Sequence, residues 1–226
     1  MNDRKQKLLK HIIEAHIRTA EPVGSGLISA KYMKGVSSPT VRNEMQELER
    51  EGLITHPHTS AGRTPTEAGY RNYIKNLEPK DISEKHRQEI DGIYNFSKSF
   101  PEKIKNIAKK TAELSQNATV VAFSKNDVYY TGLSNLFAKP EFREQNLVVN
   151  MSQVIDRLDE AMSEIHNRLD DNVSVFLGSD NPFSRDCGSV LVLGKGGMVF
   201  GILGPMRMDY ERGIALVRYI KQLLEK

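Results

Sequence analysis

The segment at residues 55–66, THPHTSAGRTPT, combines side chains that can bind metal or phosphate with an absence of any large aliphatic residue. His56 and His58 stand two positions apart, and one extended turn can place two such imidazoles side by side. A catalytic zinc site needs a third protein ligand and a supporting shell, and no aspartate or glutamate stands nearby in a recognisable ligand pattern. We therefore expect no metal here, and we predict that the histidines and threonines of this segment contact phosphate.

A second group of polar residues precedes that segment, in the run SSPTVRNEMQ at residues 37–46. Arginine can bind guanine through two hydrogen bonds, asparagine and glutamine can do the same for adenine, and serine or threonine can bond a base or a phosphate. The candidate DNA-contacting residues of this run are Ser37, Ser38, Thr40, Arg42, Asn43 and Gln46. An ordinary exposed helix start with polar residues would read the same way, so the surrounding elements must decide between the two.

Apolar periodicity in residues 1–77 predicts the elements that hold these side chains. The pattern indicates four helices, at about residues 4–19, 27–33, 38–51 and 66–77. Ser37 is a favourable N-cap, Pro39 suits the first helical turn, and Gly52 ends the third helix. This order, followed by a glycine- and proline-rich loop between strand-like residues, is that of a winged helix-turn-helix, although a small three-helix bundle has a similar pattern.

In a winged helix-turn-helix, the segment at 55–66 becomes the wing, and the third helix becomes the recognition helix. Gly62 would permit a tight tip, the two prolines would stiffen the arms, and small residues would let the backbone approach DNA closely. The wing residues that we expect to contact DNA are His58, Thr59, Ser60, Gly62 and Arg63. Arg63 would supply the positive charge, either to a phosphate or in the minor groove.

The remainder of the chain predicts an antiparallel sheet covered by helices. Residues 78–116 are polar with helical spacing, and five β-rich runs follow, at 118–123, 127–132, 173–178, 189–194 and 198–204. Short loops join the first pair and the last pair of runs as hairpins, and amphipathic helices are expected at 152–170 and 210–225. The predicted class is α+β, with a winged helix-turn-helix at 1–77, a helical linker region at 78–116 and the sheet domain at 117–226.

Charge and composition agree with a DNA-binding protein and offer little support for an enzyme. Residues 1–77 carry 12 Lys and Arg against 8 Asp and Glu, whereas the remainder carries 20 against 21. A basic domain joined to a nearly neutral one is typical of a nucleic-acid reader, although a solvated surface gives the same balance. GKGG at 194–197 lacks Walker-loop spacing, no GxSxG occurs, and the single cysteine, Cys187, has no evident histidine partner. We expect a soluble cytoplasmic protein with no cofactor, no metal and no membrane span.

Five blocks of the sequence resemble, in order, blocks of one bacterial family, the HrcA heat-inducible transcription repressors. They are TAEPVGSGLIS (19–29), SSPTVRNEMQELEREGLI (37–54), HPHTSAGRTPTEAGYRNY (56–73), GLSNLFAKPEF (132–142) and GPMRMDYERGIALVRYI (204–220). The runs HTSAGRTPT and GPMRMDY are long and unusual, which makes the resemblance specific. It extends over nearly the whole chain.

The resemblance implies a winged-helix DNA-binding domain followed by a GAF-like domain. It further implies a repressor of heat-shock (chaperone) genes that occupies an inverted-repeat operator in double-stranded DNA, acts as a homodimer and has the GroE-type chaperonin as a partner. Family members are typically longer, so this chain resembles a shortened member that lacks the usual inserted dimerisation region. The alternative function is a ligand-responsive winged-helix regulator that senses a small molecule through its GAF-like domain.

Overall fold

The computed structural model describes residues 2–57, 62–78, 80–124, 127–143 and 158–225. The chain forms two compact units, Met1–Leu77 and Glu78–Lys226. The elements of the first unit are α1 (Asp3–Thr19), α2 (Ser25–Lys31), α3 (Ser38–Arg50), β1 (Ile54–Thr55), β2 (Thr64–Pro65) and α4 (Glu67–Lys75). The four helices expected from apolar periodicity are thus present, each within a few residues of its expected bounds.

The first unit is held together by the apolar stripes of its helices. α1 contacts α2, α3, α4 and β2, and its buried side chains form the centre of the core. Large side chains with 2% exposure or less are Leu8, Leu9, Ile12, Ile13, Ile28, Leu48, Ile54 and Tyr70. Burying one such side chain contributes roughly 1.5–3 kcal/mol, so the core fixes which face of each helix points to solvent.

The two short strands form an antiparallel hairpin that is extended by one further residue. Ile54 pairs with Pro65 and Thr55 with Thr64. Val23, in the segment between α1 and α2, donates its N–H to the carbonyl of Arg63 at 2.8 Å and accepts the N–H of Arg63 at 2.9 Å. The segment between α1 and α2 therefore pairs with the hairpin through one residue, and we call this pairing the Val23 bridge.

Gly62 has a different role from the one expected of it. Its backbone does not adopt the left-handed conformation that would make glycine necessary at a tight tip. A Cβ atom at this position would lie 2.5 Å from the carbonyl carbon of Val23 and 2.8 Å from that of Pro22. Glycine is required because the hairpin backbone packs directly against the backbone of residues 22–23.

The second unit contains a five-stranded sheet between layers of helix. Its elements are α5 (Glu84–Phe96), α6 (Phe100–Ser115), β3 (Ala118–Ser124), β4 (Asp127–Thr131), α7 (Leu133–Phe137), α8 (Leu158–His166), β5 (Ser174–Leu177), β6 (Cys187–Leu193), β7 (Val199–Pro205) and α9 (Tyr210–Leu224). The strand order is β4-β3-β7-β6-β5, and every neighbouring pair is antiparallel. The expected antiparallel sheet covered by helices is confirmed.

Successive side chains along the strands point to opposite faces of this sheet. Ala118, Val120 and Ala122 belong to the cluster that also contains Met162 of α8 and Leu136 of α7. On the opposite face, α6 and α9 contact each other as well as the central strands. Both faces are thus covered by helix, which explains why β6 and β7 read as nearly continuous apolar runs.

Four details of the second unit refine what the sequence predicted. Residues 78–116, expected as a helical linker region, form α5 and α6, and α6 buries Ile104 and Ile107 in contact with β3. The sequence did not predict α7. Of the helix expected at 152–170, residues 152–157 lie outside the described residues, and α8 extends from Leu158 to His166. Cys187 is fully buried, and burial raises the pKa of its thiol to about 12.

Within the described part of the chain, no helix is long and apolar enough to cross a membrane.

Replacement of Gly62 by alanine tests the close approach to residues 22–23. The added methyl group would meet backbone atoms that cannot move independently, so we expect Gly62→Ala to lower the free energy of unfolding by about 1–3 kcal/mol, measured by urea denaturation. Gly26→Ala is the control, because Gly26 lies in α2 with open space around it, and alanine there should be neutral or stabilising by up to about 1 kcal/mol. Equal effects of the two substitutions would contradict the assigned role of Gly62.

Candidate nucleic-acid interface

The exposed face of α3 carries the side chains that sequence analysis selected for base contact. Val41, Met45 and Leu48 of α3 are buried. Arg42, Asn43 and Gln46 are exposed as a consequence, and they make no hydrogen bond to any other described side chain. This face therefore presents a planar cation and two amides, the groups that form paired hydrogen bonds with guanine and adenine edges.

The hydroxyl groups at the start of α3 fix the end of the helix. Ser37 is the N-cap, and its Oγ accepts a hydrogen bond from the backbone N–H of Thr40 at 3.3 Å. Ser37 Oγ also lies 2.8 Å from Thr40 Oγ1, and Ser38 Oγ lies 3.0 Å from Ser25 Oγ at the start of α2. The predicted Ser37, Ser38 and Thr40 therefore set the position of the helix start, whose positive dipole end suits a phosphate.

The predicted wing lies partly within the described residues. His58, Thr59 and Ser60 lie outside the described residues, whereas Gly62 and Arg63 lie in the second arm of the hairpin. Arg63 was expected to offer a free positive charge, but its Nε donates to Glu49 Oε2 at 3.0 Å and its Nη2 lies 2.9 Å from the same oxygen. The positive charge of Arg63 is therefore paired with the carboxylate of Glu49.

Glu49 is a residue that sequence analysis did not select. It lies near the end of α3, and its other oxygen, Oε1, hydrogen-bonds to Nδ1 of His56, which follows β1 in the first arm of the hairpin. One carboxylate therefore contacts both arms of the hairpin, and we call Glu49, His56 and Arg63 the hairpin clamp. A glutamate on a helix surface gives no sequence signal of this kind, because its partners lie 7 and 14 residues further along the chain.

The clamp also bears on the metal alternative for His56 and His58. The described residues contain no group of three or more histidine, cysteine, aspartate or glutamate side chains that could hold a metal ion. His56 is bonded to one carboxylate only, and His58 is outside the described residues. The geometry of the described part of the hairpin is that of an ion-paired structural contact.

Comparison with known proteins places the chain in a family. A family model described as the HrcA protein C terminal domain matches residues 71–214. The chain belongs to the HrcA family. Two curated relatives, each named heat-inducible transcription repressor HrcA, align with it from end to end. The relative from Desulfitobacterium hafniense is 25% identical over 334 positions, which cover 99% of this chain and 96% of the relative. The relative from Carboxydothermus hydrogenoformans is 25% identical over 335 positions, covering 100% and 98%.

Matches of higher identity to HrcA proteins are local. The repressor of Thermoanaerobacter pseudethanolicus is 42% identical over 133 residues, which cover 55% of this chain and 36% of that relative. The end-to-end alignments span more than 100 positions that this chain of 226 residues cannot fill. This chain is therefore shorter than these HrcA relatives because segments are missing from within the aligned region.

A solved structure shares the fold of this HrcA chain. A crystal structure of a hypothetical protein superposes with a TM-score of 0.74 at 17% identity, and the match covers 99% of this chain and 97% of the other. At this identity the likeness establishes a common fold and nothing about function.

Two of the HrcA-like blocks meet in the second unit. Arg207, from the block GPMRMDY, donates Nη2 to Glu141 Oε2 at 3.1 Å and pairs through Nε with the other oxygen of Glu141, from the block LFAKPEF. The Arg207 side chain is only 11% exposed. Burial, together with the nearby Arg207 charge, lowers the pKa of Lys139. A partly buried ion pair therefore joins the two blocks in the fold of this chain.

The hairpin clamp has an electrostatic consequence that can be measured. The hydrogen bond to His56, with the Arg63 charge as a further cause, lowers the pKa of Glu49 below the usual glutamate value of 4.5. A carboxylate whose pKa is lower in the folded state contributes stability above its unfolded pKa, and that stability is lost as the pH falls through the folded pKa.

We therefore expect acidification from about pH 6 to about pH 3 to destabilise the wild type more than Glu49→Gln, because the variant has no carboxylate to protonate. The measurement is the free energy of urea unfolding across this range. Glu21→Gln is the control, since Glu21 is exposed and its carboxylate is in no ion pair with described residues; this variant should follow the wild type. Parallel curves for the wild type and Glu49→Gln would contradict the clamp.

Proposed function

We propose that this HrcA-family chain represses transcription of heat-shock genes by occupying operator DNA, with its first unit acting as a winged helix-turn-helix. The observation that carries the proposal is the exposed Arg42, Asn43 and Gln46 face of α3, which has a rigid N-cap and lies beside a hairpin attached to the same helix. The name of the relatives, heat-inducible transcription repressor, agrees with this role.

The order of elements in the first unit supports the winged-helix assignment. α1, the Val23 bridge, α2, α3, β1 and β2 follow one another as the helices and strands of a winged helix do. In this arrangement α3 would enter the major groove, its amino end and the Ser37 hydroxyl would approach a phosphate, and the hairpin would lie along the neighbouring backbone. Binding of DNA requires no chemical step, so we propose a regulator rather than an enzyme.

The form of the operator determines the assembly that we propose. Inverted repeats have two-fold symmetry, and proteins that read them usually bind as two-fold dimers, because one small module seldom binds tightly enough alone. We therefore propose a homodimer, with the GroE-type chaperonin as the further partner that the family resemblance implies. This chain is shorter than its relatives and resembles a member that lacks the inserted dimerisation region. We therefore place the dimer contact in the second unit, whose sheet and helices we assign to the GAF-like class.

Replacement of Arg42 tests the recognition helix. Arg42 is exposed, so we expect Arg42→Ala to fold normally and to weaken operator binding by roughly 1–3 kcal/mol, with relaxed specificity at one base pair. The measurement is a titration of DNA from upstream of the organism's own chaperone genes, after footprinting has located an inverted repeat. Arg212→Ala, which removes an exposed arginine from the second unit, should leave the affinity unchanged. An equal affinity for wild type and Arg42→Ala at moderate salt would exclude α3 as the reading element.

A second candidate function is favoured by a cavity in the second unit. The cavity has a volume of about 430 Å³ and is lined by apolar residues of β3, β7 and α8 together with polar residues at its rim. The lining includes Ala122, Met162, Val199, Ser124, His166 and Asn167. Mainly apolar walls with a few polar groups suit a small apolar molecule with one hydrogen-bonding group, as expected of a ligand-responsive regulator.

The dye 1-anilinonaphthalene-8-sulfonate is a suitable probe for this cavity. If the cavity accepts small apolar molecules, the folded protein should enhance the dye's fluorescence, and Asn167→Phe should reduce the enhancement by filling the rim. Asn95→Phe is the matched control, because Asn95 is exposed on α5 and does not line the cavity. Equal fluorescence with the two variants would remove the support for a ligand-responsive function.

A further inference from the structure

The hairpin clamp engages both oxygens of one carboxylate. Glu49 Oε2 accepts two contacts from the Arg63 guanidinium, and Oε1 contacts His56. The Glu49 and Arg63 side chains are only 24% and 20% exposed, so this contact is better shielded from solvent than a typical surface ion pair. The backbone of Arg63 is also fixed, because it exchanges two hydrogen bonds with Val23.

This arrangement affects how the hairpin can meet DNA. A free arginine beside a recognition helix can bind the phosphates of DNA of any sequence, because phosphate contacts contribute affinity but carry no sequence information. Arg63 differs from a free arginine because its charge is balanced and its donors are directed at Glu49. A carboxylate at the interface also repels the DNA backbone, so it lowers sequence-independent binding while it holds the hairpin in place.

We propose that Glu49 is a positioning and specificity-determining residue, which withholds Arg63 from phosphates and fixes the hairpin relative to the recognition helix. Glu49 thereby raises the ratio of operator affinity to non-specific affinity. This inference rests on the proposed DNA-binding function. Glu49 thus contributes to the discrimination between operator and other DNA without contacting a base. The net charge that the hairpin presents to DNA depends on this residue of α3.

Measurements on three proteins distinguish this proposal from the alternative hypothesis, in which Arg63 leaves Glu49 and binds phosphate in the wild-type complex. They are the wild type, Glu49→Gln and the double variant Glu49→Gln/Arg63→Ala. The wild type and the double variant have the same net charge in the clamp, whereas Glu49→Gln releases one positive charge. The measurement is the affinity for the operator and for a scrambled duplex between about 50 and about 200 mM salt.

The proposal expects Glu49→Gln to bind the scrambled duplex more tightly, with a slope of log affinity against log salt that is steeper by about 1, for one new phosphate contact. Over that salt range the added dependence amounts to roughly three- to fourfold in affinity. The ratio of operator to scrambled affinity should fall. The double variant should return to the wild-type slope, because the released arginine is gone.

Two outcomes overturn the inference. If the double variant has a slope shallower than the wild type by about 1, Arg63 already contacts phosphate in the wild type. Arg63→Ala, which keeps Glu49, makes the same comparison if the variants that carry Glu49→Gln do not fold. If all three proteins have the same slope and the same ratio, Glu49 has no role in discrimination.

Glu47→Gln is the matched control for loss of a carboxylate from α3, because Glu47 pairs with Lys5 of α1 and not with the hairpin. It should leave the slope and the ratio unchanged, and urea unfolding of each variant shows that the fold is retained. Failure of the proposed function gives a different result: the wild type itself would bind the operator no better than the scrambled duplex.

Discussion

The first unit depends on a close backbone approach between two segments that are distant in the sequence. Val23, between α1 and α2, exchanges both backbone hydrogen bonds with Arg63 in the second hairpin arm. Gly62 permits this approach, because a side chain there would collide with residues 22 and 23. The hairpin is consequently attached at two places, through its backbone to Val23 and through its side chains to Glu49 of α3.

Much of the first unit could be predicted because its helices obey local rules. The buried stripe of Val41, Met45 and Leu48, together with the Ser37 N-cap, was sufficient to predict which polar side chains of α3 face solvent. The Val23 bridge could not be predicted, since a single paired residue has no periodicity. The partner of Arg63 was missed for a related reason: an arginine in a loop reads as a free cation until the fold brings a carboxylate to it.

The strands of the second unit could be predicted from the sequence, whereas its short helix α7 and its long-range ion pair could not. Apolar runs separated by glycine and polar residues indicated five strands, and short loops indicated two of the four antiparallel pairings, β3 with β4 and β6 with β7. The pairing of β3 with β7 joins segments that are distant in the sequence and has no local signal. α7 is only five residues long and therefore lacks a helical period. The ion pair between Glu141 and Arg207 joins positions 66 apart, and no local pattern in the sequence indicates that these two residues pair.

The packing of α6 has a consequence for how this protein can be divided. α6 buries Ile104, Ile107 and Ala108 and contacts β3, β4, β7 and α9, so residues that look like a polar connector complete the hydrophobic layer on one face of the sheet. The HrcA family match likewise begins at residue 71, ahead of both connector helices. Any exchange of halves between relatives, in evolution or by recombination in the laboratory, must therefore carry α5 and α6 with the sheet.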